Sequence, residues 1–73
     1  MEIYFSRHAC RQMRWRGISE DEISLTIHHP DMTEDSTKGR KNAFKHTGKR
    51  LLKVTYKEED GRIIIITAID KGK

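Results

Sequence analysis

Two histidines stand beside cations in this chain: Arg7 precedes His8, and Lys45 precedes His46. Imidazole titrates near neutral pH, so either residue can take up or release a proton under ordinary conditions. Cleavage of RNA through its own 2′-hydroxyl needs three things: a base for that hydroxyl, an acid for the departing 5′-oxygen, and cations around the crowded phosphorus. His, Lys and Arg supply all three without a metal, which makes His8 and His46 the candidate catalytic pair. The structural alternative makes His8 a polar residue of a first helical turn and His46 a strand-end residue hydrogen bonded near a turn.

The cations are distributed in blocks. Arg7, Arg11, Arg14 and Arg16 lie in an acid-free run, and Lys38 to Lys57 holds eight Lys or Arg with no Asp or Glu, in a chain whose net charge is only +4. Between them, Gly17 to Thr37 carries Glu20, Asp21, Glu22, Asp31, Glu34 and Asp35 and no base. A fold that joins the basic blocks would present one positive surface to a phosphate backbone or to an acidic protein partner. Plain solvation of exposed faces is the competing explanation. The nucleic-acid-binding candidates are the four arginines of the first block together with Lys41, Lys45, Lys53 and Lys57 of the second. Trp15, Phe44 and Tyr56 could stack on exposed bases, although each also suits the core or its edge.

Other chemistries find little support. His28 and His29 are adjacent and Cys10 is the only thiol, so no zinc-type spacing occurs and neither a metal nor another cofactor is expected. Most acids fall in helix caps or turns, where a structural role suffices. Gly39 and Gly48 do not lead into helix starts, so neither builds a phosphate-cradling loop. A lone cysteine forms no intramolecular disulfide, which suits a reducing compartment. The opening Glu2-Ile3-Tyr4 lacks a basic start followed by an apolar region, and Ile63 to Ile66 is too short to span a bilayer. The expectation is a cytoplasmic protein with no membrane association.

These residues must be positioned by few elements, because 73 residues make a single domain, 1–73, near the lower size for independent folding. Ile3-Tyr4-Phe5 is a short strand or an apolar anchor. Ser6 is a plausible N-cap for a helix reaching about Arg16, with Ala9 and Met13 inward, Arg7, Arg11 and Arg14 on the far side, and His8, Gln12 and Trp15 in a third stripe. Gly17 ends it. Ser19 and Glu22 form a capping box, flanked by Ile18 and Ile23 at the staple positions, for a helix from Glu20 to His28 that Pro30 stops. Met32 to Asp35 is a weak strand. Lys41 to Thr47 alternates, and the parity that takes Phe44 inward sends Lys41 and Lys45 outward. In Arg50 to Lys57 the inward residues are Leu52, Val54 and Tyr56, so Lys53 and Lys57 point out. Asp60-Gly61 turns into a strand from Arg62 to Asp70. The resulting fold class is α+β: two N-terminal helices on one face of a three- to four-stranded antiparallel sheet, whose open face would be basic with isoleucines alongside. That much apolar surface invites a partner, and a homodimer is one candidate.

The run Phe5-Ser6-Arg7-His8-Ala9, continued by Arg11, Met13, Arg16-Gly17-Ile18-Ser19, Glu22-Ile23, Val54-Tyr56 and Ile63 to Thr67, resembles a small bacterial and archaeal family of domains of unknown function. That family is commonly placed near the RelE/ParE-like toxin superfamily. The resemblance implies a RelE-like fold, metal-free cleavage of mRNA either free or on the ribosome, and neutralisation by an antitoxin, here expected to be acidic. His8 is the residue it carries over first, with Arg11, Arg16 and Arg40 as phosphate ligands. The Tyr or His that RelE-like nucleases place near the end of the final strand has no counterpart in Thr67-Ala68-Ile69-Asp70. Without catalysis, the same cations would make a nucleic-acid-binding module; a ParE-like toxin acting on a protein is the third reading.

Overall fold

The computed structural model describes residues 2–72. In chain order the elements are β1 (Glu2–Phe5), α1 (Arg7–Arg16), α2 (Glu20–His28), β2 (Met32–Asp35), β3 (Lys41–His46), β4 (Leu51–Glu59) and β5 (Arg62–Asp70). All five strands form one sheet in the order β1-β5-β4-β3-β2. Strands β2 to β5 pair antiparallel, whereas β1 runs parallel to β5. The expected three- to four-stranded antiparallel sheet is therefore corrected to a five-stranded mixed one, with the two helices retained. The physical cause is β5, whose Ile63 and Ile65 are buried. A buried strand needs hydrogen-bond partners on both edges, and β4 satisfies only one. β1 fills the other, from Glu2 opposite Arg62 to Phe5 opposite Ile65.

Short-range chemistry sets most element ends. The Ser6 hydroxyl accepts from the Ala9 amide at 3.0 Å, and Gly17 closes α1 in the left-handed region at φ 69° with its N–H on the Met13 carbonyl. Helix α2 starts at a complete capping box: Ser19 Oγ accepts from the Glu22 amide, and the Glu22 carboxylate accepts from the Ser19 amide. At the β4–β5 hairpin Asp60 and Gly61 have φ 53° and 75°, the two positive values a tight two-residue turn requires.

Both helices cover the same face of the sheet. α1 packs on β5, and α2 on β3 and β4. Ala9, Met13, Ile18 and Ile23 meet Ala43, Leu52, Val54, Tyr56, Ile63, Ile65 and Ala68 in one core. Beyond the end of β1, α1 takes over the protection of the β5 edge. Ser6 donates from N to the Ile65 carbonyl and from Oγ to the Ile66 carbonyl, while Gln12 Oε1 accepts from the Ala68 amide at 3.0 Å and from the Thr67 hydroxyl. An edge strand would otherwise expose these groups to other chains.

Two features of strand phase decide which side chains meet. In β3 the inward residue is Ala43, opposite Val54, and not Phe44, opposite Lys53. Alanine admits α2 close to the sheet. Asn42, on the other parity, is buried by hydrogen bonds to Glu34 (3.1 Å) and Thr55 (2.6 Å) instead of by helix packing. In β5 the register slips: Tyr56 faces Ile65 and Thr55 faces Thr67, leaving Ile66 without a partner on β4. This bulge re-phases the strand, so that Ile63 and Ile65 are followed on the helix side by Ala68 and Asp70.

Candidate nucleic-acid interface

Inverting β3 divides the four lysines. Lys41 and Lys45 share the helix-covered side with Ala43; Lys53 and Lys57 occupy the opposite face, opposite Phe44 and Ile64 respectively. The expectation that Lys41, Lys45, Lys53 and Lys57 make one basic open face is thus corrected. Two of them are already paired: Lys45 with Asp31 at 3.2 Å and Lys57 with Glu59 at 3.3 Å. Lys53 lies over the Phe44 ring, 6.0 Å from its centroid. The open face mixes these groups with partly exposed Phe44, Ile64 and Ile69 and with Tyr4, over which Arg62 lies at 5.2 Å.

One further cation of the second block, Arg50, is engaged in structure through its guanidinium. Arg50 Nη1 donates to the Arg16 carbonyl at 2.9 Å and Nη2 to the Gly17 carbonyl at 3.4 Å, capping the negative end of α1. Its Nε lies 3.2 Å from Glu22 Oε2 but is not directed along that line, so this contact is one of charge. Arg40, half-buried, sits in the turn ahead of β3 with its N–H on the Thr37 carbonyl. Asp31 binds the start of β2 to the end of β3: Oδ2 accepts the His46 amide at 2.9 Å, and Oδ1 the Lys45 ammonium. The amide hydrogen bond, then the Lys45 contact, lowers the Asp31 carboxyl below its ordinary pKa.

The two histidines are not brought together. His8 is exposed on α1, which packs on β5, and His46 is exposed at the end of β3, with β4 between those strands. His8 does meet other candidates. At the i, i+3, i+4, i+7 spacing His8, Arg11, Gln12 and Trp15 line one open groove of about 410 Å³ along α1. Trp15 also walls a second cleft of about 370 Å³, whose other sides are Arg16, Lys49, Arg50 and Asp70. Trp15 therefore borders both hollows and is 80 % exposed. Arg16 lies over the ring at 5.3 Å from its centroid and lines only the second cleft. Arg7, Arg11, Arg14 and Arg16 are all exposed on this acid-free helix.

Lys49 and Asp70 join this site although neither stood out in the sequence. Lys49 belongs to the basic block, and the Gly48-Lys49 turn before β4 delivers it. Asp70 is turned inward by the bulge at Ile66, which no alternation pattern reveals. Among the described residues no group of three His, Cys, Asp or Glu converges as a metal centre would need, and no helix is long and apolar enough to cross a membrane.

No curated protein and no solved structure matches the chain. A family model does, over residues 5–70, from the end of β1 to the end of β5. With nearly every element inside that span, the chain belongs to the family described as domain of unknown function (DUF4258).

Proposed function

We propose that this protein is a single-stranded RNA-binding domain that uses α1 and the two clefts beside Trp15, and not the open face of the sheet. The observation that carries the reading is the indole of Trp15, 80 % exposed on a helix with four exposed arginines and no acid. Tryptophan is rarely left so bare in a small domain without a partner. An aromatic platform beside a positive backbone track is how single strands are held, each stacked base contributing about 1–3 kcal/mol. Arg7, Arg11 and Arg14 supply the track, and Lys49 extends it past the end of the helix.

A second reading is favoured by one observation: His8 lines the same groove as Arg11 and Trp15. A strand held there would place a phosphodiester near an imidazole and a guanidinium, as metal-free cleavage through the 2′-hydroxyl requires. The resemblance of Arg7-His8-Ala9 and its flanks to relatives of RelE/ParE-like toxins agrees with this, with an acidic antitoxin as the natural partner. His46 sits at the end of β3, with β4 between it and the strand on which α1 packs, and it does not line this groove, so in this reading the other proton is carried by a group in the groove or by water.

The test is binding of labelled single-stranded RNA by wild type, by Arg7→Glu/Arg11→Glu/Arg14→Glu and by Lys53→Glu/Lys57→Glu. The helix variant should lose binding and the sheet variant should keep it. Each phosphate neutralised should contribute roughly −0.7 to the slope of log K against log salt, giving about −2 to −3 for three or four contacts. Binding lost only with the sheet variant would refute the assignment to α1. Cleavage that persists in EDTA and vanishes in His8→Ala would establish the second reading.

A further inference from the structure

The cleft between Trp15, Arg16, Lys49, Arg50 and Asp70 contains a single acid among three cations. Simple phosphate binding is hindered by a carboxylate, so Asp70 calls for an explanation of its own. Its direction is no accident of strand alternation. Without the bulge at Ile66, residues 67 and 69 would follow Ile63 and Ile65 on the helix side; with it, Asp70 shares that side with buried Leu52, its partner on β4. Bulges of this kind re-aim side chains beside functional sites.

Asp70 Oδ1 accepts from the Gly72 amide at 3.0 Å, and among the described residues no cation pairs with the carboxylate at ion-pair distance. A carboxylate has roughly four lone-pair sites, so most of its accepting capacity remains. We infer that this cleft is a guanine-specific subsite, in which Asp70 reads the Watson–Crick edge of one base in a bound single strand. The inference rests on the RNA-binding reading above.

The chemistry selects among bases. Guanine alone presents two adjacent donors on that edge, N1–H and the N2 amino group, which match two carboxylate oxygens. Adenine and cytosine offer one amino donor next to a ring acceptor that a carboxylate repels, and uracil one N–H between two carbonyls. Arg16 provides the stacking partner, since a guanidinium plane takes a base much as an aromatic ring does. Lys49 is exposed at the rim and suits the adjoining phosphate. Arg50 stays on the carbonyls that end α1 and forms the floor. A volume of about 370 Å³ falls in the range of small-ligand sites and admits one nucleotide. Trp15, which borders both hollows, takes the neighbouring base on the ring face away from Arg16 without regard to identity.

Trp15 is the only tryptophan, so its fluorescence reports occupancy directly. Wild type is titrated with an oligouridine, with the same strand carrying one central guanosine, adenosine or cytidine, and with guanosine 5′-monophosphate. The guanosine strand should bind about 10- to 100-fold more tightly than the others, the discrimination a good bidentate contact provides. Asp70→Asn, which can still accept from Gly72, should erase that preference while affinity for oligouridine stays level or rises, because a negative charge has left the cleft. A melting temperature equal to wild type confirms that the variant is folded; if it is not, Arg16→Met, removing the stacking plane, should also narrow the preference. Quenching of equal affinity with all four strands overturns guanine specificity and leaves RNA binding intact. No quenching by any strand overturns both. Guanosine monophosphate binding as tightly as the strand would overturn RNA as the source of the base and assign the cleft to a free nucleotide.

Discussion

Replacing Arg50 by Met should destabilise the domain more than any other single change at a charged residue. Arg50 holds three segments together: the end of α1 through the carbonyls of Arg16 and Gly17, the start of α2 through Glu22, and β4, which its own backbone enters. The Arg50 and Glu22 side chains retain 15 % and 11 % exposure. Removing one partner of a fully buried pair costs about 3–5 kcal/mol. Here residual water softens the loss, and Glu22 keeps the Ser19 amide and the Thr47 hydroxyl as donors. Each lost hydrogen bond to a carbonyl adds about 1 kcal/mol, less where water replaces it, and methionine preserves most of the packing of the stem. The sum is about 2–3 kcal/mol. At 73 residues the whole domain should have a stability of roughly 4–11 kcal/mol, so this is a large fraction. Calorimetry should show the midpoint falling by about 10–20 °C, at roughly 4–8 °C per kcal/mol for a domain this small. Glu22→Gln keeps the capping box, and adding it to Arg50→Met should recover part of the loss, because no uncompensated charge then remains. A drop of less than about 4 °C in the single variant, or strict additivity in the double one, would refute the reasoning.

Ser19→Ala should cost about 1 kcal/mol by leaving the Glu22 amide without its cap, seen as a midpoint about 4–8 °C lower. Gly61→Ala forces a side chain into φ 75°, although nothing stands within 4 Å of the new Cβ, so backbone strain alone should cost about 1–2 kcal/mol in urea unfolding. Asp31 has a lowered carboxyl pKa, so its contribution to stability is complete above the ordinary value of 3.8 and is lost as pH falls through the lower folded value. Below pH 3.8 the His46 amide should therefore shift in NMR and exchange faster, and in Asp31→Asn that acid-side titration should be absent.

Elements bounded by chemistry within a few residues were legible in the sequence. Ser6, Gly17 and the Ser19-Glu22 box fix both helices because each bond closes over three or four positions, and Asp60-Gly61 fixes its hairpin for the same reason. The parallel pairing of β1 was not legible. Its four residues carry no directional signal, and its place is dictated by the vacant edge of a strand some sixty positions later. The phase of β3 was likewise hidden: Asn-Ala-Phe alternates equally well either way, and the choice depends on the small residue that α2 can approach.

Charge blocks in a sequence translate into surfaces very differently on helices and on strands. On α1 the spacing of 8, 11, 12 and 15 keeps its residues on one side whatever else the chain does, so the groove of His8, Arg11 and Trp15 follows from helical geometry alone. On strands, neighbouring cations diverge by parity, and a block that looks continuous from Lys38 to Lys57 ends on two faces, with Lys45 and Arg50 consumed by Asp31 and Glu22. Asp70 shows the sharper difficulty. The apolar run Ile63 to Ile66 has no alternation, so it conceals the one place where the phase of β5 changes. Every residue after it is assigned to the wrong face by extrapolation from those before. A continuous apolar run in a strand followed by polar residues is thus a position where both phases must be considered, and here only the shifted phase puts an acid beside Trp15, Arg16 and Lys49.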